Sequence, residues 1–260
     1  MIQSFSLIGF GEAGSTFARA GGWGEAARAY DIKDKQSEYG AVGVTGCAGL
    51  PEAIKGSSAI LSLVTAGQAK TVAEEAAQSI APGALYFDMN SVAPDTKRIS
   101  AKFIQQANGR YIDVAVMAPV HPAELSVPLL LSGADAAEGA AVLTGLGFDN
   151  IRVVDGEVGK ASSIKMIRSI MVKGIEALTA EMMLAAHEAG VSDDVLQSLG
   201  PEWAEKAEYN LERMRSHGLR RAEEMQEVAL TLEALGIEPL MTKATIIRQR
   251  EMANKEGLAI

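Results

Sequence analysis

Two sets of residues in this 260-residue chain could do chemistry. The first is Gly9-Phe10-Gly11-Glu12-Ala13-Gly14, with Asp31 further along. A GxGxxG run that opens a helix, followed roughly 20 residues later by a carboxylate at the end of a second strand, is the spacing that holds a dinucleotide. Gly9 permits the tight turn, Gly11 lets the backbone approach a pyrophosphate, and Gly14 lets the helix pack closely on its strand. The run, with Glu12 and Ala13 in it, opens onto Ser15-Thr16-Phe17-Ala18-Arg19-Ala20, which reads as helix and whose N-terminus adds unpaired N–H groups and partial positive charge. Asp31 can accept hydrogen bonds from both adenosine ribose hydroxyls and repels a 2′-phosphate, which favours NAD, while Lys33 leaves NADP open. The second set is Lys165, Arg168, Ser169 and Lys173, which share one face of a helix. That face is either a solvated cationic stripe or a row of cations that needs an anion, a substrate or a catalytic duty. A lysine desolvated in a cleft has its pKa lowered and can pass protons near neutral pH.

Such groups need a frame. Strands are expected over Phe5–Gly9, Arg28–Asp31, Ala59–Val64, Ala84–Met89, Tyr111–Met117, Pro128–Ser132 and Ile151–Val154, with helical stretches between them, one of them within Gln68–Ile80. From about Ala161 to Glu188 one long helix is expected, with Ile164, Ile167, Met171, Ile175 and Leu178 filling the side opposite Lys165. Four further helices follow: Asp193–Leu199, Glu202–Arg215, Leu219–Leu235 and Leu240–Ala253. Gly200-Pro201, His217-Gly218 and Gly236-Ile237-Glu238-Pro239 read as their stops and restarts. The expected fold class is therefore α/β: an N-terminal Rossmann-type doubly wound sheet, residues 1–158, followed by an all-α domain, residues 159–260. The helical half offers apolar faces with little sheet to cover them, which points to a homodimer.

Composition narrows the function. Hydrophobic residues make up 48% of the chain, so a sizeable core can form. A net charge of −9 argues against nucleic acid as a partner, because phosphate binding needs a basic footprint. The single cysteine, Cys47, excludes an internal disulfide framework and fits a reducing cytosol. The first strand starts close to Met1, no apolar run approaches a membrane span, and a cytoplasmic location is expected. His121, His187 and His217 are too scattered for a metal site. His187 is read as a helix C-terminal cap, and Glu224 as a solvated side chain. Val64 and Thr65, just after their strand, are expected to line the nucleotide. His121, in the loop after Asp113–Met117, is a candidate substrate contact.

Three further segments resemble the β-hydroxyacid dehydrogenase family, which includes 3-hydroxyisobutyrate and 6-phosphogluconate dehydrogenases. Phe87-Asp88-Met89-Asn90-Ser91-Val92-Ala93-Pro94 is similar to the family's D-x-S-T-x-x-P stretch beside the nicotinamide. Asp113-Val114-Ala115-Val116 is similar to the start of its substrate signature. Gly156-Glu157-Val158-Gly159 followed by Ile164-Lys165-Met166-Ile167 is similar to the segment bearing its catalytic lysine. The resemblance covers most of the chain and implies Asn90 and Ser91 near the nicotinamide and Lys165 as general acid and base. There are departures. The signature's Ser-Gly-Gly is here Met117-Ala118-Pro119, the asparagine four residues past the lysine is Ser169, and a glycine is replaced by Ala161. Arg168 could instead grip a carboxylate or phosphate bidentately. The expected function is an NAD(P)-dependent oxidoreductase moving a hydride between the nicotinamide and a small, anionic hydroxy acid or related alcohol or carbonyl compound. Its alternatives are an imine reductase on a similar frame, against which Lys165 counts, and a non-catalytic NAD-binding sensor or scaffold.

Overall fold

A computed structural model describes residues 4–254 and divides into two compact units, Met1–Lys165 and Met166–Ile260. The strands of the first unit are Phe5–Ile8 (β1), Ala27–Tyr30 (β2), Thr45–Gly46 (β3), Ala59–Ser62 (β4), Leu85–Asp88 (β5), Arg110–Val116 (β6), Leu129–Ser132 (β7) and Ile151–Val153 (β8). Its helices are Glu12–Gly21 (α1), Gln36–Val42 (α2), Leu50–Ile54 (α3), Ala69–Ala77 (α4), Pro94–Gln106 (α5) and Ala136–Gly145 (α6). The strand order is β3-β2-β1-β4-β5-β6-β7-β8. Neighbours are parallel except β6 and β7. This is the doubly wound sheet expected from the sequence, with β7 and β8 running opposite to the other six strands.

Every residue of β1, β4, β5 and β7 is buried, which is why those segments read as unbroken apolar runs rather than alternating ones. One face of the sheet sets Leu7, Leu61 and Phe87 against Phe17 and Phe148. The other sets Ile8, Ile60 and Tyr86 against Ile54 and Ile104. Several strands stop short of the boundaries expected from hydrophobicity, because Gly9, Val64, Met89 and Met117 leave the ladder for loops at the sheet's carboxyl edge. At two residues, β3 is too short to carry a periodic signal.

Helix α7 spans Lys160–Glu188, as the sequence predicts, and starts in the first unit. The second unit continues with Ser192–Leu199 (α8), Trp203–Ala234 (α9) and Leu240–Ala253 (α10). Two expectations fail here. The first is the stop at His217-Gly218: α9 runs unbroken for 32 residues. A Cβ at Gly218 would lie 2.4 Å from the Gln249 backbone oxygen of α10, so the missing side chain serves close helix approach, not termination. The second is the solvated Glu224, which packs against α7. Ser169, Lys173 and Glu176 are buried, whereas Ile167, Met171, Ile175 and Leu178 are exposed.

Partners from other helices explain why polar side chains of α7 are buried. Lys173 pairs with Glu224 of α9 at 2.9 Å, so Glu224 is a counter-ion rather than a solvated side chain. Arg221 donates to both oxygens of Glu176, and Gln249 Nε2 donates to Glu176 Oε2 at 2.8 Å. Buried charges are tolerable when paired and hydrogen-bonded in this way.

Glycines in two helices should therefore respond oppositely to the same substitution. Gly218→Ala forces α9 from α10 and is expected to cost about 1–3 kcal/mol, the usual scale of overpacking. Gly174→Ala, in α7 with nothing within 4 Å of the new Cβ, should stabilise by roughly 0.5–1 kcal/mol. Urea unfolding of both variants checks the pair, and equal signs would contradict it.

Candidate active site

The chain leaves β1 through the glycine run and enters α1 beside the end of β4. The strand order reverses between β1 and β4, and in open α/β sheets ligands bind in the crevice at such a point. Gly9 sits at φ +94°, and a Cβ there would be 2.5 Å from the Leu63 carbonyl oxygen. A Cβ on Gly14 would be 2.4 Å from the Gly9 oxygen. Gly11 is different: nothing lies within 4 Å of where its Cβ would stand. It is also the N-cap of α1, and no side chain caps that helix. Open space in front of an uncapped helix start is what a pyrophosphate needs, so the loop fits a dinucleotide.

Asp31 is held by that same loop. Its Oδ2 accepts the Phe10 N–H at 2.7 Å and its Oδ1 the Lys33 N–H at 2.9 Å. The Phe10 N–H is therefore committed to Asp31 rather than to a phosphate, and the Phe10 ring is buried 4.8 Å edge-on from Tyr39. Burial, helped by the charge of Asp31, pushes the Tyr39 hydroxyl up to about 12. Next to Asp31, Ile32 is 85% exposed.

Two loops from neighbouring strands are stapled together by Asn90. Its Oδ1 accepts the Val64 N–H at 2.7 Å, and its Nδ2 donates to Ser62 Oγ and Asp88 Oδ1. Asn90 is buried, so it fixes the position of Val64, with Thr65 exposed beyond it. Lys165 Nζ donates to Ser91 Oγ at 2.5 Å, joining two residues that lie 74 positions apart in the chain. Met117 is half-buried and gives its N–H to the Pro128 carbonyl. His121 is exposed, with Nε2 3.0 Å from Thr16 Oγ1 of α1. In the second unit Arg168 is exposed and Ser169 accepts a hydrogen bond from Lys173. Among the described residues no cluster of His, Cys, Asp and Glu could hold a metal ion, and no helix is long and apolar enough to cross a membrane.

Sequence reasoning overlooked a buried polar row beneath these loops. Ser62, Asp88, Asp113 and Ser132 are register partners across β4, β5, β6 and β7. Lys97 of α5, fully buried, reaches both carboxylates: 2.9 Å from Asp88 Oδ1 and 3.5 Å from Asp113 Oδ1. The Tyr111 hydroxyl donates to Asp88 Oδ2 at 2.5 Å. Burial, and then the charge of Asp88, drives its pKa well above the ordinary tyrosine value, so it remains a donor. The signal was present in the sequence, since an aspartate inside an apolar strand demands a partner.

A family model described as the NAD binding domain of 6-phosphogluconate dehydrogenase matches residues 4–145, more than half of the chain. A second, described as a domain of unknown function (DUF1932), matches residues 186–252. Among solved structures, a conserved hypothetical protein from Sinorhizobium meliloti 1021 is 36% identical, covers 100% of this chain and 92% of its own, and superposes with a TM-score of 0.78. MTH1747, a conserved protein of unknown function described as structurally similar to 3-hydroxyacid dehydrogenases, is 31% identical over 96% of each chain, with a TM-score of 0.72. The 3-hydroxyisobutyrate dehydrogenase of Mycobacterium tuberculosis, solved with L-serine, covers 98% of this chain and 95% of its own at 17% identity, TM-score 0.78. At that identity the likeness is one of fold.

The contrast between Gly11 and Gly14 yields a direct check on the loop. Gly11→Ala should lower the melting temperature only slightly, through the helix cap, yet weaken nicotinamide-dinucleotide binding at least tenfold by calorimetry, because the methyl group fills open space in front of α1. Gly14→Ala should instead lower the melting temperature, its Cβ being 2.4 Å from the Gly9 oxygen.

Proposed function

Because the chain belongs to the family of the 6-phosphogluconate dehydrogenase NAD-binding domain, we propose that it is an NAD(P)-dependent oxidoreductase acting on a small, anionic hydroxy acid or the matching carbonyl compound. The observation that carries this reading is the Lys165–Ser91 hydrogen bond, formed by the unit that also presents the glycine loop and Asp31. The nicotinamide, when bound, supplies the hydride acceptor or donor. Lys165 handles the proton. In the oxidative direction its neutral amine takes the substrate hydroxyl proton, and in the reductive direction its ammonium returns one to the carbonyl oxygen. Ser91, as acceptor to Nζ, holds the amine in place between these states.

Asp31 favours NAD over NADP. Two backbone N–H groups fix its carboxylate, and a 2′-phosphate beside it would meet a like charge. For the substrate, His121 and Arg168 are the cationic or donor side chains assigned to the anion, with Met117 and Ser169 as lesser contacts. Assembly follows from the exposed face of α7. Met171 and Met241, 65% and 66% exposed, line one groove formed by α7 and α10. Covering such a groove with a second copy gives a homodimer. Met171→Glu should then shift the protein to monomer by light scattering without lowering its melting temperature.

The catalytic assignment is tested with a panel of hydroxy acids and both cofactors, following reduced-nicotinamide absorbance. Lys165→Ala should lower turnover roughly 10²–10⁴-fold, the usual worth of a positioned acid–base group. NAD affinity should stay within twofold of wild type. Undiminished turnover removes Lys165 from the mechanism, and NAD binding without hydride transfer on any substrate in the panel favours a sensor.

A further inference from the structure

We infer that Lys97 is a positioning residue for Lys165, an inference that rests on the acid–base role proposed above. Lys97 touches no ligand, because it is fully buried beneath the loops. Its Nζ donates to the Asp88 backbone oxygen and to Asp88 Oδ1, and lies 3.5 Å from Asp113 Oδ1. Each of those carboxylates does a separate job.

Asp88 Oδ1 also accepts the Asn90 N–H and the Asn90 side-chain amide, and Asn90 in turn holds Val64. That chain of bonds sets the loop ending in Ser91, the partner of Lys165. Asp113 Oδ2 accepts the Gly159 and Ser162 N–H groups at 3.0 and 3.1 Å. It also accepts from Ser132 Oγ, which takes the Ala161 N–H at 3.0 Å. The first turn of α7 is thus fastened to β6 and β7 by its otherwise unpaired N–H groups. Lys165 follows Ser162 by one turn of the same helix. A single ammonium therefore hydrogen-bonds Asp88 at one end of the Lys165–Ser91 contact and stands at ion-pair distance, 3.5 Å, from Asp113 at the other, whose Oδ1 has no hydrogen-bond partner. Asp88 and Asp113 are register partners on adjacent strands, and without the cation between them like charges would face each other in the core.

Lys97→Gln keeps an N–H donor between the strands and removes the charge. It should lower kcat at least tenfold while KM and the NAD dissociation constant stay within twofold, since angstrom-scale misplacement of a reacting group costs rate rather than affinity. Asp113→Asn decides the matter should Lys97→Gln not fold, because Lys97 and Asp88 remain a balanced pair there. Its amide oxygen can face Lys97 or the α7 N–H groups but not both. The expected result is the same kcat loss, together with faster amide exchange at Gly159, Ala161 and Ser162. Unchanged kcat overturns the inference, as does a parallel decline of kcat, KM and NAD affinity that follows the melting temperature. A readout free of turnover separates this from the oxidoreductase assignment. The acylation rate of Lys165 by an amine-selective reagent should change more than threefold in Asp113→Asn, with other lysines unaffected. A protein inactive on every hydroxy acid but showing that change sinks the assignment and keeps the positioning; an unchanged rate sinks the positioning.

Discussion

The structure depends on how two aspartates share the interior of one sheet. Asp88 and Asp113 lie side by side on β5 and β6, both fully buried. Removing a carboxylate from water costs several kcal/mol, and doing so twice at neighbouring positions adds repulsion. The chain meets that cost with Lys97, the Tyr111 hydroxyl, the Asn90 N–H and amide, Ser132 Oγ and the N–H groups of Gly159 and Ser162. Apolar residues of similar volume would often do as well for stability. What they could not do is hold the α7 N-terminus and the Asn90 loop by directional bonds. The row lies at the carboxyl edge of the sheet, where the candidate site is built.

Much of the frame was legible in the residues. Strands buried on both faces announce themselves as apolar runs, and the glycine run followed by Asp31 has few other uses. The pairing of Ser91 with Lys165 was within reach only through the resemblance, because no spacing rule joins positions 74 apart. Phe10 shows the limit of motif reading. Its place in the run suggests a contact with the nucleotide, yet its N–H is taken by Asp31 and its ring by Tyr39.

Hydrophobic periodicity identified α7 but left open whether its cationic face is solvated or buried. An amphipathic pattern states that two faces differ, and the usual inference buries the apolar one. In α7 the polar face is the buried one, because α9 and α10 bring Glu224, Arg221 and Gln249 to it. Those partners lie far along the chain, so nothing local in α7 reveals them. Gly218 misled for a related reason. Glycine in a helical stretch means a stop when judged locally, and a close crossing when the other helix is known.

The departure at Met117-Ala118-Pro119 bears on what the site recognises. Met117 spends its N–H on the Pro128 carbonyl, and Pro119 has none. Those two backbone groups are therefore not free to cradle an anion at this loop. In the same unit His121 carries a side-chain nitrogen near this loop, and its ring is braced by Thr16 from the helix that follows the glycine loop.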